Sequence, residues 1–331
     1  MDPAARHPLP SYPKETSNLR GKSEGTSEYR STCKDPYVFC ADKPGDLLGV
    51  HADLMEKTLR CDEGLLYLLY APICQERDGP FGLQATPASH AVAVTKYRFI
   101  ISEDRHMEGI APTVQSIPFD QLLYVELGNA LLLGWFSLEL ALDDKPSCTT
   151  IFFQATTGMK HFGIAVSEYR RMTKPTHNLL PSKIIDWADI WRHTPKTEVD
   201  HLKPLIITEE LPFNMLRSSE QWILRERRRK KIPAYLSTNG ILVSTNLGFI
   251  SATEETPVRP GVVSLGVNVS SITFDALRSV RLREKRMYGR LLPFLRLELA
   301  RGSVAVDFDV PFNRESSKDA ETLVYFLTND M

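Results

Sequence analysis

Cysteine is sparse in these 331 residues, and the five present (Cys33, Cys40, Cys61, Cys74 and Cys148) are scattered, odd in number and without a CxxC pair. That pattern excludes a disulfide framework and a thiolate zinc site, and it fits reduced thiols in a reducing compartment. Ligand spacings are missing among the histidines too: His51, His90, His106, His161, His177, His193 and His201 make no HxH or HExxH. No metal or cofactor is expected. Long apolar runs are absent as well. GLLYLLYAPIC and ALLLGWFSLELAL, near a dozen residues each, are the most apolar stretches, and the second contains Glu139. A transmembrane helix needs about 20 apolar residues. The opening MDPAARHPLPSYPKETSNLRGK lacks the apolar core of a secretory signal. The expected setting is cytoplasmic, with at most peripheral attachment to the inner face of a membrane.

Catalytic signatures are also lacking. There is no GxSxG, GxxxxGK or GxGxxG. The acid pairs Asp143–Asp144 and Glu254–Glu255 stand in turn-like contexts, and nothing in the spacing orders Cys148 against His161. No catalytic residue is assigned, and the chain reads as non-enzymatic. Net charge is near zero, at −1 with a pI near 6.7. Together with the lack of aromatics interleaved among the cations, this weighs against a nucleic-acid partner.

What is present is unevenly distributed. Residues 46–175 sum to roughly −5 and 203–331 to roughly +4, a split that bears on partners. Residues 1–45 are rich in Pro, Ser, Lys, Glu and Gly and poor in aliphatics, so they read as a disordered arm. A second proline-rich zone, residues 175–204, separates a first domain (46–174) from a second (205–331).

The two halves repeat each other. LRCDEGLLYLLY (59–70) lines up with LRSSEQWILRER (216–227), and IPFDQLLYVELG (117–128) with ITFDALRSVRLR (272–283), in the same order and at nearly the same offset. Each half reads as a series of short strands separated by turn formers, followed by one amphipathic helix, at 159–172 and at 316–327. In the FDxLxxV segments the apolar steps run two, three, two, which one flat strand cannot accommodate. A bulge or half-turn at Asp120 and Asp275 restores the register.

An acid leading into the first strand (Glu63, Glu220), the TKYRFIIS strand, the IPFDQLLYVEL strand, the LEL strand and the C-terminal helix together resemble a pleckstrin-homology-like (PH/GRAM-type) domain, present twice. The resemblance implies an α+β, mainly β fold: two tandem PH-like small β-barrels, each closed by a C-terminal α-helix. It also implies a binding module for anionic lipid headgroups, peptides or partner domains. In lipid-binding members, phosphates sit between basic residues at the end of the first strand and on the next, which here correspond to Arg227, Arg228, Arg229, Lys230 and Lys231.

Those residues belong to WILRERRRKKIP (222–233), with six cations and one acid in seven consecutive residues. Aligned with LYLLYAPIC, the run is expected to be a first strand, with Arg225, Arg227, Arg229 and Lys231 on one face and Arg228 and Lys230 on the other. Arg283, Lys285 and Arg286, with Arg281 and Arg290, form a second basic group that would share a rim with the first if the fold brings them together. Three readings stay open: a site for an anionic headgroup or an acidic protein surface, a solvated edge whose charges deter aggregation, and a contact between the halves or with another protein in a scaffold that binds no lipid. In IIDWADIWRH (184–193), with Ser182 as a candidate cap, Trp187 and Trp191 lie on one side of a short amphipathic helix. They are candidates for binding a partner or for packing the linker onto the core.

Overall fold

The computed structural model describes residues 37–73, 88–173, 184–227, 230–254 and 266–330. The first half opens with β1 (Phe39–Cys40) and α1 (His51–Thr58). Then β2 (Leu65–Ala71), β3 (Ser89–Thr95), β4 (Arg98–Asp104) and β5 (Thr113–Pro118) follow as a meander, making the antiparallel sheet β1-β2-β3-β4-β5. The sequence SHAVAVT of β3 is buried on both faces because a layer covers each: Val92 and Val94 enter the main core, while Ala91 and Ala93 meet Met55 of α1. Residues 37–45, grouped with the arm by composition, are part of this layer. Val38 and Ala41 are buried, and β1 pairs with β2.

The expected half-turn at Asp120 is a 3-10 turn, Phe119–Gln121, and Asp275 lies in its counterpart, Phe274–Ala276. The first redirects the chain into β6 (Leu122–Ala130), β7 (Leu133–Leu142), β8 (Lys145–Gln154) and the helix α2 (Ala155–Met172). Two short helices follow, α3 (Trp187–Arg192) and α4 (Lys196–Leu202). Asp186 caps α3, its carboxylate accepting from the Ala188 amide at 2.9 Å; Ser182 lies outside the described residues.

The second half runs β9 (Pro212–Ser218), β10 (Gln221–Arg227), β11 (Lys230–Ser237), β12 (Gly240–Thr245), β13 (Gly248–Glu254) and β14 (Gly266–Thr273). After the 3-10 turn come β15 (Leu277–Met287), β16 (Arg290–Arg301), β17 (Val304–Pro311) and α5 (Ser317–Asp330). The order of four meandering strands, a 3-10 turn, three strands and a helix therefore occurs twice, once the β10–β11 pair is set aside.

The sequence led us to expect two closed barrels. None of the sheets among the described residues closes on itself. The outer edge of β6 pairs with β14 of the second half, Leu127 opposite Val269, giving one seven-stranded antiparallel sheet, β8-β7-β6-β14-β13-β12-β9. One face of this sheet, carrying Val125, Phe136, Ile241 and Ile250, packs with the five-stranded sheet and α2. The other, carrying Leu216, Leu242, Phe249 and Ile272, packs with the sheet β15-β16-β17 and α5. Two cores thus share a central wall, and neither half owns it.

Candidate anion-binding site

The basic run does not form the first strand of the second half. That strand is β9, which pairs directly with β12 and ends with Ser218 opposite Gly240. The segment between them is an inserted hairpin, β10–β11, in a two-stranded sheet of its own. Its register sets Arg225 opposite Ile232, Glu226 opposite Lys231, and Arg227 opposite Lys230. The chain reverses between Arg227 and Lys230, so Lys231 shares a row with Glu226 and not a face with Arg227, as unbroken alternation had suggested. Arg228 and Arg229 lie outside the described residues.

The base of the hairpin is held by polar contacts. The Glu220 amide donates to Asn239 Oδ1 at 2.8 Å, and Ser237 Oγ donates to the Ser219 carbonyl at 2.7 Å. Both the amide and the hydroxyl of Ser219 donate to Asn313 Oδ1, at 3.1 and 2.9 Å. Asn313 follows β17, so these bonds fix the start of β10 against the far end of the three-stranded sheet.

The second basic group emerges there too. Strands β15 and β16 pair for their full length and turn at Tyr288–Gly289, both with positive φ (48° and 84°). Glycine takes this backbone without the Cβ strain that Tyr288 bears. Arg283, Lys285, Arg286 and Arg290 project from this hairpin into solvent, and none has an ion-pair partner among the described residues. Several arginines elsewhere are matched: Arg296 lies 2.6 Å from Asp307 and 2.7 Å from Asp309, Arg301 2.8 Å from Asp275, and Arg98 2.7 Å from Glu63. A cleft of about 680 Å³ joins the two basic elements, with Ser219 and Gln221 on one wall and Arg286, Arg290, Asn313 and Arg314 on the other. Arg286 and Arg290 line this cleft together with Glu315, and from 283 to 290 the hairpin carries four exposed cations to one carboxylate, Glu284, which leaves a net positive local field.

The other candidate residues are accounted for inside the protein. Trp187 and Trp191 stack on each other, with centroids 5.0 Å apart and 16° between planes, and pack half-buried against the main core. The Trp187 indole donates to the Glu210 carbonyl at 3.0 Å, and the Lys203 ammonium lies 5.9 Å from the Trp191 ring centre. Packing of the linker accounts for both tryptophans. His161 meets the Tyr67 hydroxyl at 2.8 Å, whereas Cys148, exposed on β8, contacts Thr150 at 3.4 Å. The two form no nucleophile pair. Among the described residues no group of three His, Cys, Asp or Glu is placed to hold a metal, and no helix is long and apolar enough to cross a membrane.

Sequence reasoning missed a buried ionic node. Arg170 of α2 is fully buried and donates to Glu210 Oε1 and, at 2.6 Å, to Ser271 Oγ on β14. Glu210, also buried, accepts from Thr245 Oγ1 at 2.6 Å. The only signal lay in α2 itself, whose buried arc includes Gly163 and Val166 beside the Phe162, Ala165, Tyr169 stripe and so reaches Arg170. Comparison with known proteins finds no family model that matches the chain and no curated protein similar to it in sequence.

Proposed function

We propose that this chain is a non-enzymatic binding protein built from two PH-like β units, and that its second unit docks through a basic rim onto an anionic membrane surface. The observation that supports this reading is the group Arg283, Lys285, Arg286 and Arg290, exposed, without acidic partners among the described residues, and adjoining the cleft from which the cationic β10–β11 hairpin departs. Cations near an anionic bilayer contribute about 1 kcal/mol each, and the attraction falls off within a Debye length of about 10 Å at 0.1 M salt. The PH-like reading of the fold is supported by the repeated element order. The shared central sheet implies that the two units act as one body.

The test is co-sedimentation of the full chain with phosphatidylcholine vesicles, with and without phosphatidylserine, at low and high salt. Binding should require phosphatidylserine and weaken steeply with salt. Neutralising Arg283, Lys285, Arg286 and Arg290 should lower the partition coefficient by roughly tenfold or more. Equal association with neutral vesicles, or no association with either, would count against membrane docking and favour a scaffold whose cations are solvated.

A further inference from the structure

We infer that the outer edge of β15 is a docking strand for an extended segment of a partner protein in which acidic and apolar residues alternate. This goes beyond membrane docking: it uses the open edge of β15, and shares Arg283 and Lys285 with the basic rim.

Strand β15 is an edge: its only sheet neighbour among the described residues is β16. Its first part is buried, with Leu277 and Val280 in the second core, but residues 281–286 are all exposed. An edge strand presents a row of backbone N–H and C=O groups that can accept another strand. Alternation then divides its side chains. Ser279, Arg281, Arg283 and Lys285 take one face, which is the outer one, since Ser279 and Arg281 reach Glu298 there at 2.7 and 3.9 Å. Leu282, Glu284 and Arg286 take the other face, where Leu282, with Val324 and Tyr325 of α5, lines an apolar groove of about 380 Å³. Leu282 is 38% exposed and Tyr325 74%, which leaves the groove floor open to solvent.

The two faces specify the occupant. A strand laid antiparallel along β15 places every second side chain beside Arg281, Arg283 and Lys285, where carboxylates are favoured and cations excluded. The intervening side chain beside Leu282 points into the groove, where an apolar group is favoured. Glu321 at the groove wall adds a penalty for acids on that side. The surface therefore selects an alternating acidic–apolar segment, not acidic composition alone.

The probe is a short fluorescein-labelled peptide of alternating Glu and Val, titrated into the full chain and followed by anisotropy. Controls are a peptide of equal composition with its glutamates clustered, and two versions N-methylated on alternate residues in the two possible registers. Saturable binding is expected for the alternating peptide, with the clustered one weaker and only one N-methyl register retained, because only one set of amides faces β15. Leu282→Glu and, separately, Arg283→Glu with Lys285→Glu should each weaken binding roughly tenfold or more. Arg290→Glu should weaken vesicle association while sparing the peptide, so either reading can fail alone. Equal binding of all four peptides would reduce the edge to a diffuse cationic patch and overturn the proposal, as would no binding at all.

Discussion

Arg170 and Glu210 are charged residues in a place where charge is expensive to leave unmatched. Both are withdrawn from water, and together they join α2 of the first half to β12 and β14 of the second through Thr245 and Ser271. Removing one member strands the other, which typically costs about 3–5 kcal/mol, whereas replacing both with apolar groups costs far less. Arg170→Met is expected to lose about that much in urea denaturation, and Arg170→Met with Glu210→Leu to recover most of it. Two further buried groups set the pH range of stability. Burial, with His90 nearby, lowers His51 to about 4 while its ring bonds Ser89 and Ser102 at 2.9 and 2.7 Å. Because the unfolded chain binds that proton more readily, stability is present above the ordinary value of 6.5 and is lost as pH falls toward 4. Glu198 behaves in the opposite sense. Burial, aided by Glu254, raises it from 4.5 to about 7, so its neutral form favours the fold at low pH and stability is lost as pH rises through 7. Glu198→Gln is expected to raise the melting temperature at pH 8 relative to wild type, and by less at pH 5. An equal change at both values would show that the carboxylate does not titrate there.

At the scale of elements, the inserted hairpin is separable from the fold that carries it. Since β9 ends with Ser218 opposite Gly240 of β12, the sheet is complete without β10 and β11. Replacing residues 220–238 by a short Asn–Gly turn is expected to leave the circular dichroism spectrum in the folded range and shift the melting temperature by a few degrees, while reducing vesicle association. Loss of cooperative unfolding would mean that the hairpin is part of the core. The sequence misread this region for a physical reason. Asn214 occupies a buried position in β9 and donates to the Asp319 carbonyl at 3.0 Å, so the apolar alternation that marks a strand is broken there. WILRER, by contrast, continues the LR match to the first half and draws the first-strand assignment one element too late. The turns at Asp120 and Asp275 were legible because a skipped apolar step forces a local kink whatever surrounds it. The convergence of the hairpin base with Arg286, Arg290 and Arg314 was not legible, because it depends on Asn313, which is distant in sequence and closes the cleft through hydrogen bonds to Ser219.

For the whole molecule, the decisive feature is the pairing of β6 with β14, which merges strands of both halves into one wall between two cores. The repeated order of elements was readable from sequence; the merger was not, since strand pairing between the halves leaves no local pattern. A first half expressed alone would expose the β6 edge and the apolar face meeting Val267 and Val269, and it is expected to aggregate, whereas the full chain should unfold in one calorimetric transition. Two resolved transitions would contradict a shared wall. The basic rim is carried by this single body, and hydrogen exchange of the full chain on phosphatidylserine-containing vesicles tests it most directly. The expected result is protection concentrated at the β10–β11 hairpin, at residues 283–293 and at 312–315, with the β1-β2-β3-β4-β5 sheet unchanged. Protection centred on the first half, or none that depends on the anionic lipid, would contradict it.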